Sequence, residues 1–127
     1  MQEKQLFEYA VIRIVPRVER QEFFNVGIIV YCAGLNFLQS KFEINEKKLF
    51  ALSNEIDIED LQKRLSVLEQ ICAGDKCAGE IALLPLAARF RWITAIRSTI
   101  LQTSPVHPGF SENLAHTLDK LFNELVK

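Results

Sequence analysis

The chain is poor in the residues that staple a fold, cradle phosphates or span a membrane. Its three cysteines, Cys32, Cys72 and Cys77, are an odd number and cannot all pair within one chain. Cys32 stands in an apolar run where a reduced thiol behaves as a small hydrophobe, and the count fits a reducing compartment. The five glycines, at 27, 34, 74, 79 and 109, are scattered without Walker or dinucleotide spacing. That spacing excludes a kinase or NTPase built on a glycine-rich loop. Neither sign of charge is in excess, with 15 basic against 16 acidic residues and a formal net charge of -1. Sequence-independent nucleic-acid binding draws its affinity from clustered Lys and Arg, so nucleic acid is not an expected partner. The longest uncharged apolar run, IALLPLAA at 81–88, is too short to cross a bilayer, and MQEKQLFEYA carries acidic residues and no signal-like core. The expectation is a cytoplasmic protein away from membranes.

What is present is an ordinary globular composition. With 127 residues, 49% hydrophobic and 24% charged, the chain fits a single domain over 1–127 whose one core needs no disulfide or metal. FEYAVIRIV at 7–15 is rich in β-branched and aromatic types and stops at Pro16, which removes a ladder donor. EFFNVGIIVY at 22–31 is a second strand, in which Gly27 marks a bulge or a close backbone approach. Ala33-Gly34-Leu35-Asn36 supplies turn chemistry, and the run from Asn36 to Ile44 follows as a third, antiparallel strand.

From Asp57, a candidate N-cap, Ile58, Leu61, Leu65, Leu68 and Cys72 recur at helical spacing until Gly74. A second helix runs from about Pro85 to Ala95 with Leu86, Phe90 and Ile93 inward. STILQT at 98–103 reads as a fourth strand and SPVHPGF as a loop. Ser111 then caps a helix carrying the stripe Leu114, Leu118, Leu121, Phe122 and Leu125. Strands first and helices later predict an α+β fold, an antiparallel sheet of about four strands covered by helices on one face.

The runs YAVIRIVPRVERQEFFNVGIIVY, RFRWITAIRSTILQTSPVHPG and LDKLFNELV resemble DUF3037, a bacterial family of unknown function. The shared patterns are an Arg-x-x-Pro strand end, Glu-Phe-x-Asn-x-Gly, Arg-Ser-Thr-x-x-Gln, and a Pro-x-His-x-Gly loop. The stretch from about 44 to 80 carries little of the resemblance. The resemblance implies small proteins often encoded beside HipA-like kinases; no catalytic residues are established for the family, so none are carried over, and no cofactor or metal is expected.

The matching polar positions are Arg13, Glu22, Asn25, Arg97, Ser98, Gln102 and His107, with Arg89, Trp92 and the glycines 27 and 109 beside them. Two arginines with amide, hydroxyl and imidazole donors can hold a phosphate or carboxylate, because the guanidinium fork pairs oxyanions bidentately. The plainer reading pairs Glu22 with Arg13 or Arg97 in a structural network. His107, set between prolines, has the rigidity a general acid or base needs, yet no Ser or Cys nucleophile stands at a recognisable spacing from it. Cys72, Cys77, His107 and His116 are poorly spaced for structural zinc. Phe90 and Ile93 face the core of their helix, which leaves Arg89 and Arg91 on a solvated face.

The leading expectation is a small binding or regulatory protein, with a HipA-like kinase as the partner the resemblance implies. The alternative is an enzyme or binding protein for a phosphate-bearing ligand, using an Arg/Glu/His cluster. A third expectation is a homo-oligomer built by sheet-edge pairing.

Overall fold

A computed structural model describes residues 4–17, 22–52, 57–95 and 101–127. In chain order these form β1 (Gln5–Arg17), β2 (Glu22–Cys32), β3 (Phe37–Phe42), α1 (Glu46–Leu52), α2 (Ile58–Ala73), two 3-10 turns (Lys76–Ala78 and Glu80–Leu83), α3 (Leu86–Thr94), β4 (Leu101–Thr103), β5 (His107–Ser111) and α4 (Leu114–Leu125). The fold is α+β, with an antiparallel sheet ordered β3-β2-β1-β4 and β5 also paired to β1.

The sheet has five strands rather than about four, because the expected SPVHPGF loop contributes β5. β4 and β5 follow one another along the same edge of β1. Ser104 joins them by satisfying both backbone groups of Val11: its N–H donates to the Val11 carbonyl at 2.8 Å and its hydroxyl accepts from the Val11 N–H at 2.9 Å. Two prolines and a glycine argued for a loop, but β5 is an edge strand, where a missing donor is tolerated.

Strand alternation divides β1 between two cores. Ala10, Ile12 and Ile14 face one side, where Leu61, Leu65, Leu68 and Ile71 of α2 and Phe90 and Ile93 of α3 cover them. Phe7 and Val11 face the other, beneath Leu114, Leu118 and Phe122 of α4. Helices therefore cover both faces, not the one expected. The apolar stripe of α4 had no partner visible in the sequence, and burying each of its large side chains is worth roughly 1.5–3 kcal/mol, enough to bring the helix onto the second face.

β2 changes its facing at Gly27. Ile12 pairs with Gly27 and Arg13 with Asn25, so Val26 is an extra residue opposite nothing, a β-bulge. A Cβ on Gly27 would lie 2.9 Å from both the Lys41 carbonyl and the Phe42 Cβ. Both meanings read into that glycine, bulge and close approach, hold. A second irregularity falls between Ile14 and Arg17, where β1 runs past Pro16 instead of ending at it. Proline is accommodated at such a break because no ladder hydrogen bond is asked of it there.

α2 begins at Asp57, whose carboxylate accepts from the Asp60 N–H, and ends at Gly74 in the left-handed conformation, as the spacing predicts. α4 is capped by Asn113, which accepts from the His116 N–H at 3.1 Å, and not by Ser111. Ser111 is buried at the end of β5, where its hydroxyl accepts from the Asn113 N–H. Leu125, expected in the core stripe of α4, is exposed. α1, a helix not expected from the sequence, lies in the stretch that carries little of the family resemblance and buries Leu49.

Candidate functional site

The polar residues of the first strand pair meet in a row across the sheet. Arg13 on β1 stands directly opposite Asn25 on β2 and directly opposite Gln102 on β4. Arg13 has the same parity along β1 as Val11 and Tyr9, so the row lies on the α4 side. The Gly27 bulge is what brings Asn25 onto that side: without the extra residue, its side chain would point to the other face.

The Arg13 guanidinium carbon sits 4.4 Å from the ring centroid of Phe23, whose side is half exposed at 50%. The Asn25 amide donates from Nδ2 to the Leu125 carbonyl at 2.8 Å, which ties the row to the C-terminal turn of α4. Two buried polar atoms have no hydrogen-bond partner here, Nε of Arg13 and Oδ1 of Asn25. One is a donor and the other an acceptor, on residues whose Cβ atoms in such a pair lie about 4.5–5.5 Å apart. An exposed cation–π contact supplies about 0.5–1 kcal/mol, whereas a buried unpaired donor costs about 1–3 kcal/mol, so stacking on Phe23 alone does not offset the buried Nε. Among the described residues the ion pairs are Lys41 with Asp119 and Arg64 with Asp60, and neither involves Arg13.

His107 shares the α4-side face but not the row. It pairs with Tyr9, with ring centroids 5.4 Å apart, four positions along β1 from Arg13. At the rise of a strand this is roughly 13 Å, beyond hydrogen-bond reach of a group held at Arg13. Glu22 opens β2 opposite Arg17, and its side chain lies outside the described residues. Arg97 and Ser98 also lie outside them. Gln102 is held by an interaction of its own.

Beside the row, a cleft of about 520 Å³ opens between the start of β2, the β3–α1 connection and the end of α4, lined by Phe23, Phe24, Asn25, Glu43, Lys48 and Lys127 among others. The strand pattern hid the roles of Phe23 and Tyr9. Consecutive Phe23 and Phe24 in an alternating strand do signal one ring on each face, but Tyr9 meets His107 only because β5 exists.

Arg89 and Arg91 do not form the solvated pair expected on α3. Arg89 donates from Nε to the Leu84 carbonyl at 2.8 Å and from Nη1 to the carbonyls of Ile71 and Cys72 at 2.9 and 3.1 Å, capping the end of α2. Arg91 and Trp92 remain exposed, and Phe90 and Ile93 face the core as expected. Burial pushes the Cys72 thiol up to about 11, a shift that the Ser40 hydroxyl and Arg89 oppose. Among the described residues no group of three or more His, Cys, Asp or Glu side chains could hold a metal ion, and no helix is long and apolar enough to cross a membrane.

The family model described as a protein of unknown function, DUF3037, matches residues 9–126. The chain belongs to the DUF3037 family. The match takes in the Arg13–Asn25–Gln102 row, the Tyr9–His107 contact and all of α4. No curated protein and no solved structure shows a significant match to the chain.

Proposed function

We propose that this DUF3037 protein is a non-catalytic binding or regulatory protein of the cytoplasm whose α4-side sheet face docks a partner protein. The observation that carries this reading is the Arg13 guanidinium, laid on an exposed Phe23 ring and flanked by amides on both neighbouring strands, with no ion-pair partner among the described residues. Exposed aromatics and arginines are the side chains that most often anchor protein interfaces. The partner class is a HipA-like kinase, as the resemblance implies.

The alternative is an enzyme or binding protein for a phosphate-bearing ligand, with Arg13 and Arg97 as clamps and Glu22 or His107 as acid or base; the register sets His107 apart from Arg13, while the side chains of Glu22 and Arg97 lie outside the described residues. The test is co-purification of a HipA-like kinase with the tagged protein from its native host, for the parent chain and for Arg13→Met and Phe23→Ser. Loss of the kinase from both variants, with circular dichroism and melting unchanged, supports the reading. A parent chain that recovers no kinase overturns it.

Self-association is favoured by a separate observation. Leu6 and Phe110 form a cross-strand pair, 55% and 69% exposed, at the corner of the sheet that α2 and α3 leave open. Pro108 on the same edge strand removes a backbone donor, which works against strand-to-strand pairing. Light scattering of Phe110→Ser against the parent chain distinguishes a dimer from a monomer.

A further inference from the structure

We infer that two copies of this chain pair edge to edge through β3, with the two-fold axis at Ser40. The inference goes beyond the docking reading of the α4-side face. Its surface is also not the Leu6–Phe110 corner, which lies across the sheet on β1 and β5.

The two edges of the sheet are built differently. On one side the edge is divided between the short strands β4 and β5, and Pro108 removes a backbone donor from it. β3 is the other edge, and it pairs with β2 in unbroken register from Phe37 to Phe42, with neither proline nor glycine. A lysine on an edge strand ordinarily discourages an incoming strand. The lysine of β3 is tied back instead: the Lys41 ammonium lies 3.0 Å from the Asp119 carboxylate and 4.8 Å from the ring centroid of Phe122, both on α4.

Hydrogen-bond alternation decides which backbone groups of β3 face outward. The Glu43 N–H donates to the Val26 carbonyl at 2.7 Å, so Glu43, Lys41, Gln39 and Phe37 bond to β2, and the N–H and C=O groups of Leu38, Ser40 and Phe42 point away from it. Among the described residues no strand lies on that side of β3, and no turn or loop backbone hydrogen bond uses these groups. Ser40 shows the edge to be open. Its hydroxyl oxygen is buried while the residue is partly exposed, so what it exposes is Cβ and backbone.

A second β3, run antiparallel, matches this edge to itself. With Ser40 opposite Ser40 of the second copy, Leu38 stands opposite Phe42 and Gln39 opposite Lys41, and every outward group of the strand gains a partner. Leu38 and Phe42 both pack toward the α2-side core, so the seam sets apolar against apolar. Moving the axis to Gln39 leaves Phe42 without a strand residue opposite. Moving it to Lys41 does the same to Leu38 and sets two lysines face to face. That self-match selects a second copy as the occupant, and it joins the two sheets into one.

The experiment measures mass by sedimentation over a dilution series, with amide hydrogen exchange read residue by residue at both ends of the series. The expected parent species has twice the mass of the chain at the concentrated end. There the amides of Leu38, Ser40 and Phe42 are protected roughly tenfold or more, and the protection is lost on dilution while that of β1 stays. Ser40→Pro removes an outward N–H and leaves the ladder to β2 intact, so it yields a monomer with an unchanged circular dichroism spectrum. A parent chain that is monomeric throughout overturns the inference, as does a dimer that survives Ser40→Pro. A dimer lost in Phe110→Ser and kept in Ser40→Pro moves the contact to the β1–β5 corner and also overturns it. Should Ser40→Pro fail to fold, the parent decides: outward β3 amides that exchange equally fast at both ends of the series overturn the pairing.

Discussion

Replacing Arg89 by methionine removes the cap of α2 while keeping most of the side chain's apolar contact area. Three carbonyls lose a donor, and their fates differ. The Ile71 carbonyl keeps the Gly74 N–H at 3.1 Å. The Leu84 carbonyl belongs to an exposed residue and takes up water. The Cys72 carbonyl is the one stranded, behind a buried side chain and next to the packed Ile71. A lost charged hydrogen bond costs about 1.5–3 kcal/mol where water cannot replace it, and less where it can, so the sum is about 2–3 kcal/mol. For a chain of 127 residues this lowers the melting temperature by roughly 8–12 °C. Urea unfolding followed by circular dichroism should show a lower midpoint with the same slope, since the surface exposed on unfolding is unchanged. Arg91→Ala, on the exposed side of α3, should stay within about 0.5 kcal/mol of the parent. An Arg89→Met variant as stable as the parent would refute the capping argument. A variant of unchanged stability that loses affinity for single-stranded nucleic acid would return Arg89 to a binding surface.

Other outcomes follow from single contacts. Gly109→Ala places a Cβ 2.6 Å from the Phe7 ring, so β5 must lift from β1, and differential scanning calorimetry should show a loss of about 1–3 kcal/mol. Gly27→Ala meets backbone on β3 and should cost at least as much, with amide exchange rising along β3 before the rest of the sheet. The Cys72 thiol, raised from 9.0 to about 11, favours the folded state in its protonated form. That contribution is complete below pH 9 and is lost as the pH rises through 11, so the alkaline limb of the stability profile should flatten in Cys72→Ala. In the native protein a thiol reagent should label Cys77 and leave Cys32 and Cys72 untouched until urea is added. Asp75 raises the Cys77 thiol by a hydrogen bond and by its charge, so Asp75→Asn should speed that labelling near neutral pH.

Local chemistry alone determined much of this molecule. The alternation of FEYAVIRIV, the cap at Asp57, the stop at Gly74 and the stripe of α4 each follow from contacts within a few residues, and each could be read directly. Gly27 announced a bulge or a close approach by its missing side chain, although the groups that require it, Lys41 and Phe42 of β3, stand 14 and 15 residues away in the chain. Motif positions also pointed to Arg13, Asn25, Gln102 and His107 without showing that the first three form a row and the fourth stands apart. Register decided that: Gly27 marks where the bulge lies, but that Asn25 and Gln102 both stand opposite Arg13 is set only when β2 and β4 pair with β1. β5 escaped because an edge strand accepts proline, and Arg89 was misjudged because the carbonyls it caps lie on another helix, 18 and 17 residues back. The second covered face had the same origin. An amphipathic helix carries its own stripe in its sequence, but which sheet face it covers depends on where the chain has already placed the rest of the core.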